Sequence, residues 1–530
     1  MNLFVLGSFC IIALFRPIWG LALLLIAENS LFHIGTRFAA VALPVGYAST
    51  MDIFFVFLFM GAYYQYVRER KQRRVKEFKQ RGGTDVANTT VADGIPKKPK
   101  TLLIFARKTM STILVPYLVW MSLCLFLGVV DGHPDIELVQ QVRAGGVRLF
   151  PWSLVLVVWM LRSRVDTILQ VALGIASLTA LVHLVIQIID NRPVLMAAYY
   201  FLRDSQDAWI LVRQALTENA ELVRGIPQGI VLMVSTLVFA FTRFISGQSK
   251  VPKLDLAMAG IQVVAIAITI TRSLVATFVL GIFMGIVFGL RRRARSRTLF
   301  ERTMVSILGG VVFMGAFFAS NTRYLETWVG RVSELGQDAA IYSADTNRGL
   351  DNVSSLNAIM DKPVLGWGYH VYPVKYAIGP MLGNDIHPVL ENGLFGGWVA
   401  VAITIYMFFA LMKRFNEAGS KDIEVFSRLL PYIAVFSSYM ILNSLGAGGS
   451  LTGKGLIAMA VFIGISLAQM SRMEIKITGQ ENIISVKPPP HRFQWKRKYS
   501  QPRPATVFPH AAPWQHPTNP SDGKNKWQIT

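Results

Sequence analysis

Five residues of this 530-residue chain combine a charged or reactive side chain with a place beside an apolar run: Arg272, Ser273, Arg348, His387 and Glu391. Arg272-Ser273 interrupts the stretch from Leu254 to Leu290, in which Asp255 is the only other charge. A guanidinium there, followed by a serine able to N-cap the next helix, joins fixed positive charge to free backbone N–H groups and a positive helix end. Such a place suits an anion, and arginine can grip phosphate oxygens bidentately where lysine offers a point charge. The plainer reading is a hairpin turn whose arginine snorkels to lipid headgroups.

Arg348 stands between Asp345 and Asp351, where a surface ion pair of small energetic value is the ordinary reading. His387 precedes Pro388, and an imidazole has the unperturbed pKa that suits general-base work near neutrality. If Pro388 opens a helix, Glu391 falls one turn beyond His387 and can orient the ring or serve as the base itself. Against this, a loop histidine commonly makes only a structural hydrogen bond, and the chain has eight histidines. The arginines Arg192, Arg203, Arg213 and Arg224 recur at even spacing upstream and offer to extend an anion site, though a solvated face explains them equally.

The elements that must position these residues are membrane spans. With 53% hydrophobic and 16% charged residues and a mean hydropathy of +0.43, the chain is excluded from the soluble multidomain enzymes. Taking roughly 20 apolar residues as one crossing, about twelve spans emerge. They cover 3 to 33, broken at Pro17 and leaving Ile18 to Ala27 open to being a half-helix, then 40 to 66, 109 to 130, a short 148 to 161, 168 to 189 and 226 to 245. The stretch 254 to 290 is too long for one crossing and folds back at Thr271-Arg272-Ser273; spans at 303 to 320, 393 to 412, 428 to 446 and 452 to 470 follow. No small-residue cleavage site follows the first stretch, which is expected to stay as membrane structure.

Lys and Arg number 53 against 31 Asp and Glu, a net +22. The positive charge lies in blocks between apolar runs, which reads as topology and not as nucleic-acid binding. With twelve spans, 68 to 108, 162 to 164, 243 to 253, 291 to 302, 413 to 428 and everything after 472 share the cytoplasmic side. The loops 190 to 225 and 321 to 392 then face outward, and the second carries five basic and eight acidic residues, the opposite bias. Residues 1 to 474 form the membrane domain. The basic loop 68 to 108 and the Pro-rich tail 475 to 530 are expected to be solvated or disordered, in contact with anionic lipid.

The outer loop 321 to 392 holds Arg348, a helix-like stretch from Leu350 to Met360, the run Asp361-Lys362-Pro363-Val364-Leu365-Gly366-Trp367-Gly368-Tyr369, and His387 before Glu391-Asn392-Gly393-Leu394-Phe395-Gly396. In this order, together with Arg272-Ser273, these pieces resemble the O-antigen ligase and polymerase superfamily of bacterial envelope glycosyltransferases. The resemblance implies an all-α, polytopic, GT-C-like fold in the inner membrane, with a large periplasmic loop. It also implies transfer of a glycan from undecaprenyl diphosphate to a glycan or lipid acceptor, without metal or other cofactor. Arg272, Ser273 and Arg348 would hold the diphosphate, while His387 and Glu391 activate the acceptor. Pro388 after the histidine and the short gap to Gly393 depart from the ligase pattern and lean toward the polymerase branch.

The remaining signals are negative. Cys10 and Cys124 lie in apolar runs and offer no disulfide framework or metal motif. There is no Walker A loop, no HExxH, and no Asp-x-Asp pair outside the spans to hold a metal for a nucleotide-sugar donor. The other classes open to such a chain are a glycolipid or small-anion transporter, expected to show broken spans and mid-membrane ionisable residues, and a non-catalytic scaffold.

Overall fold

The chain's structure is a computed structural model that describes residues 3–29, 41–43, 46–48, 50–82, 100–101, 103–130, 150–188, 213–214, 223–224, 229–249, 251–269, 271–291, 296–320, 322–333, 347–368, 388–419, 423–444, 453–478 and 481–485. The helices are α1 (Leu3–Phe15), α2 (Pro17–Asn29), α3 (Thr50–Gly82), α4 (Leu103–Thr109), α5 (Val115–Val130), α6 (Ser153–Met160), α7 (Val165–Ile188) and α8 (Ile230–Ile245). They continue as α9 (Pro252–Ile268), α10 (Arg272–Arg291), α11 (Ser296–Ser320), α12 (Thr322–Ser333), α13 (Asn347–Asp361), α14 (Pro388–Gly419), α15 (Ile423–Ser444) and α16 (Gly453–Arg472). A π-helical turn, Met110–Leu114, joins α4 to α5. Short strands form three small antiparallel sheets: β1 (Val41–Leu43) with β2 (Gly46–Ala48), β4 (Arg213–Gln214) with β5 (Val223–Arg224), and β3 (Lys100–Thr101) with β6 (Glu474–Thr478) and β7 (Glu481–Ser485).

This is a helical, multi-pass membrane protein. Among the described residues seven helical stretches are long and apolar enough to cross a bilayer: Ala106–Gly128, Arg162–Val185, Ser273–Arg291, Phe300–Ser320, Val389–Ala418, Glu424–Leu442 and Gly455–Arg472. Each coincides with a span expected from the sequence. The expected spans at 226 to 245 and 254 to 271 form the shorter helices α8 and α9, of 16 and 17 residues, and the other three take different forms, for physical reasons.

The first is a helical elbow. Pro17 has no N–H and takes the first position of α2, while the Arg16 carbonyl accepts from Trp19 N–H at 2.9 Å and Gly20 N–H at 3.1 Å. The two arms fold together so closely that a Cβ on Gly20 would lie 2.7 Å from the Ala13 Cα. Each arm has 13 residues, about 20 Å, and falls short of a crossing alone. The second expected span begins at Thr50, after the β1–β2 hairpin, and continues as one helix into the basic segment as far as Gly82. That stretch of the 68 to 108 loop is helical, with Arg68, Arg70, Lys71 and Gln72 exposed. Residues 148 to 161 reduce to the eight-residue α6 behind a 3-10 turn, about 12 Å long and buried against α16. The tail expected to lack structure from 475 first forms the β6–β7 hairpin.

α8, 16 residues long, sits at the centre, packed by α7, α9, α10, α15 and α16, and every residue from Ile230 to Ala240 is buried. Ser235 and Thr236 are satisfied internally, as a low-dielectric interior requires, while the buried Thr242 hydroxyl has no hydrogen-bond partner among the described residues. Ser235 pairs with the Tyr439 hydroxyl at 2.8 Å. The Thr236 hydroxyl donates to Gln262 on α9 at 3.1 Å, and the Gln262 amide donates to Ser177 on α7 at 3.0 Å. α11, by contrast, leaves Val305, Ile307, Leu308, Val311 and Val312 exposed, the surface a lipid-facing helix presents.

The basic segments converge on one end of the bundle, as the charge pattern requires. Ser163 donates to Glu69 at 2.8 Å, Arg472 pairs with Asp166 at 2.9 Å, and Arg162 stacks over Tyr66 and Trp159. Arg243 grips the buried Asp255 with both its Nε, at 2.7 Å, and an Nη. All these contacts belong to one compact unit, Met1–Lys487. The second unit, Pro488–Thr530, lies outside the described residues.

Candidate functional site

Two of the segments singled out in the sequence, Asp361 to Gly368 and Pro388 to Gly396, meet at a break in α14. Helical geometry fails at Gly396 (φ −136°, ψ 21°) and Gly397 (φ 67°, ψ −172°). In an unbroken helix the Leu394 and Phe395 carbonyls would accept from N–H groups four residues on. Here they accept instead from Trp367 N–H at 2.8 Å and Gly368 N–H at 3.2 Å. The released Trp398 N–H donates to the Pro363 carbonyl at 2.8 Å. Residues 363 to 368 thus supply, from outside the helix, the backbone partners that the break removes.

The glycines are what allow this fit. Gly397 has a positive φ, and a Cβ on it would lie 2.3 Å from the Val364 carbonyl oxygen. Gly366, at φ 65°, faces it, and a Cβ there would lie 2.6 Å from the Gly396 nitrogen. The tryptophans pin the joint. The Trp367 indole is buried and donates to the Ala358 carbonyl at 2.8 Å, with the Lys362 ammonium 4.6 Å above its ring. Trp120 of α5 donates to the Gly396 carbonyl at 3.0 Å.

The break folds the first two turns of α14 back on the rest. The Asn392 amide donates to the Thr404 hydroxyl at 2.5 Å, although a straight helix would hold those residues about 18 Å apart. Thr404 in turn donates to the Ala400 carbonyl at 2.7 Å. The Tyr117 hydroxyl of α5 lies 3.5 Å from the Asn392 side-chain oxygen. Glu391, only 7% exposed, sits beside Asn392 and near enough to Tyr117 to act on it electrostatically. A carboxylate is therefore carried into the bundle on a short helix among hydrogen-bonding partners. Tyr117, Trp120 and Thr404 are not singled out by the sequence, where their only signal is a polar group inside an apolar run; Asn392 stands there only as part of the Glu391 to Gly396 run.

The expected site residues fare differently. Pro388 opens α14, so Glu391 lies in the first turn as anticipated. His387, the residue before it, lies outside the described residues. Arg348 is the second residue of α13. Arg272 opens α10, but the capping differs from expectation. The Thr271 carbonyl accepts from Leu274 N–H at 3.1 Å and Val275 N–H at 3.2 Å, so Thr271 holds the capping position and Ser273 lies inside the first turn. The Ser273 carbonyl accepts from the Thr277 hydroxyl at 2.6 Å.

Arg272 and the α14 break lie at the same end of the bundle. α10 runs antiparallel to α15, with Gly281 against Ser438 and Gly285 against Ala434. α15 runs antiparallel to α14, with Phe415 stacked on Phe436 at 5.0 Å. α15 therefore separates Arg272 from Glu391, whereas α13, which carries Arg348, packs directly on α14. Of the upstream arginines, Arg213 and Arg224 are set opposite each other in the β4–β5 register. Among the described residues no three His, Cys, Asp or Glu side chains gather closely enough to hold a metal ion.

The chain matches no protein-family model, and no curated protein is significantly similar to it.

Proposed function

We propose that this protein is a bacterial inner-membrane glycosyltransferase that polymerises undecaprenyl-diphosphate-linked oligosaccharide repeats at the periplasmic face. In this reading about twelve spans of a GT-C-like fold place 190 to 225 and 321 to 392 outside. Arg272 and Arg348 hold the diphosphate and stabilise the leaving group as its charge develops. His387 takes the proton of the acceptor hydroxyl, with Glu391 orienting the imidazole, and a single displacement inverts the anomeric centre. An O-antigen ligase would use the same chemistry with a lipid A-core acceptor.

The observation that carries the proposal is the joint at Gly396-Gly397. It brings together two of the three sequence segments on which the resemblance rests, and it buries Glu391 in the turn that His387 precedes. The test is incubation of the purified protein with an undecaprenyl-diphosphate oligosaccharide. Lengthened chains and released undecaprenyl diphosphate are expected; an unchanged donor at every acceptor offered rejects the reading.

The same joint favours a second reading. A discontinuous helix that carries a buried carboxylate is also how transporters build substrate and proton sites. Uptake of a labelled glycolipid or anion into proteoliposomes, lost in Glu391→Gln and accompanied by no glycosidic bond formation, would select transport.

A further inference from the structure

Away from the α14 joint, at the end of the bundle where the basic segments meet, the elbow between α1 and α2 opens into a cleft of about 530 Å³. That volume lies in the range of small-ligand sites. Three arginines from three separate elements line it: Arg16 at the elbow, Arg68 on α3 and Arg164 in the turn before α7. All three are exposed, and none forms an ion pair among the described residues. The one carboxylate in the lining, Glu69, already accepts from Ser163 at 2.8 Å and from Gln65 at 3.1 Å. Three positive charges less one negative leave the lining at +2. What sets the three apart is their convergence on one cleft from three elements.

The walls are amphiphilic. Leu14, Phe15, Ile18 and Val171 supply apolar surface, while Trp19 and Tyr64, each 65% exposed, stand at the edge like the aromatic anchors of a membrane interface. Converging guanidiniums with adjacent apolar surface match a phosphate group on an acyl chain, and basic pockets between spans are where anionic headgroups bind. We infer that the α1–α2 elbow is a binding site for a phosphate ester, held by Arg16, Arg68 and Arg164, with an anionic phospholipid headgroup as the occupant its walls favour.

This inference is independent of the catalytic proposal, because no residue is shared. Binding of dioctanoyl phosphatidic acid, dioctanoyl phosphatidylcholine and inorganic phosphate to the purified full-length protein in uncharged detergent tests it. Saturable binding of phosphatidic acid is expected, weakened by salt and absent for the zwitterionic lipid. Arg16→Gln, Arg68→Gln and Arg164→Gln should each weaken it roughly fivefold to tenfold, and Arg68→Lys less, because lysine keeps charge without the fork. Arg70→Gln removes the same charge from an exposed α3 position outside the lining and should leave binding unchanged. Inorganic phosphate binding as tightly as the lipid would support a soluble phosphate ester as occupant. Equal binding of the zwitterionic lipid, equal loss in Arg70→Gln, or no saturable binding of either phosphate probe overturns the site.

Discussion

Replacing Gly397 by alanine tests the joint directly. The residue has φ 67°, and holding an L-residue there costs about 1–2 kcal/mol. The new methyl would stand 2.3 Å from the Val364 carbonyl oxygen and 2.5 Å from that of Pro363, so the loop must withdraw. Withdrawal breaks the Trp398 N–H to Pro363 bond, a further loss of about 0.5–1.5 kcal/mol. The sum is about 1.5–3.5 kcal/mol. At tenfold per 1.4 kcal/mol, opening of the joint becomes roughly 10- to 300-fold more frequent. Amide exchange of the protein in detergent, followed by mass spectrometry of peptides holding Trp367, Gly368 and Trp398, reads that opening. Gly315→Ala, in α11 with no atom within 4 Å of the added methyl, is the control and should leave exchange unchanged. Unaltered protection at all three amides in Gly397→Ala would refute the joint as drawn.

Three further expectations follow from other contacts. Arg243→Ala leaves the Asp255 carboxylate buried and unpaired, and should lower unfolding free energy by about 3 kcal/mol, more than Asp255→Asn; equal thermal stability of Arg243→Ala and wild type would remove this pair from the fold's supports. If the imidazole is the base, His387→Ala should lose roughly 10²- to 10⁴-fold in glycan transfer and Glu391→Gln less. A dead Glu391→Gln beside an active His387→Ala would reverse the roles. Single cysteines at Ser343 and Thr84 should label from outside and inside respectively, and equal labelling of both from outside would sink the twelve-span topology.

What could be read from the sequence follows from where the information is local. Hydropathy and length located the α10 and α15 spans, because a bilayer imposes one apolar length on any crossing helix. Proline chemistry located the Arg16-Pro17 break, and the basic runs foretold which loop ends would meet. Reversal of α14 was not legible. Its signal is two adjacent glycines, and the Leu394, Phe395 and Trp398 backbone groups released by the break find partners in residues 363 to 368, a distance at which no periodicity reports a partner. The reduction of 148 to 161 to eight residues was equally hidden, since apolar runs of that length suit a buried half-helix as well as part of a span. Ser273 stands two residues past the observed cap because Thr271 and Ser273 are both good caps, and only the hydrogen bonds from Leu274 and Val275 choose between them.

The separation of Arg272 from Glu391 constrains the proposed chemistry more tightly than the resemblance does. α10 and α14 each pack on α15 and do not pack closely on each other. In a single displacement the acceptor oxygen, the anomeric carbon and the departing phosphate oxygen lie within about 3–3.5 Å of one another. A base on the first turn of α14 and a clamp on the leaving oxygen must therefore come from adjacent helices. Arg348, on the α13 that packs against α14, meets that condition; Arg272 stands one helix further off and suits a more distant part of the donor. Arg348→Lys should then lower kcat and kcat/KM together, the signature of a contact made in the transition state. Arg272→Lys should raise KM for the lipid-linked donor and leave kcat nearly intact, as removal of uniform binding does. Initial rates over a range of donor concentration in both variants decide the matter. A fall in kcat for Arg272→Lys as large as that for Arg348→Lys would mean that the α10 end closes over α15 during the reaction, and the assignment of the two arginines to separate tasks would fail.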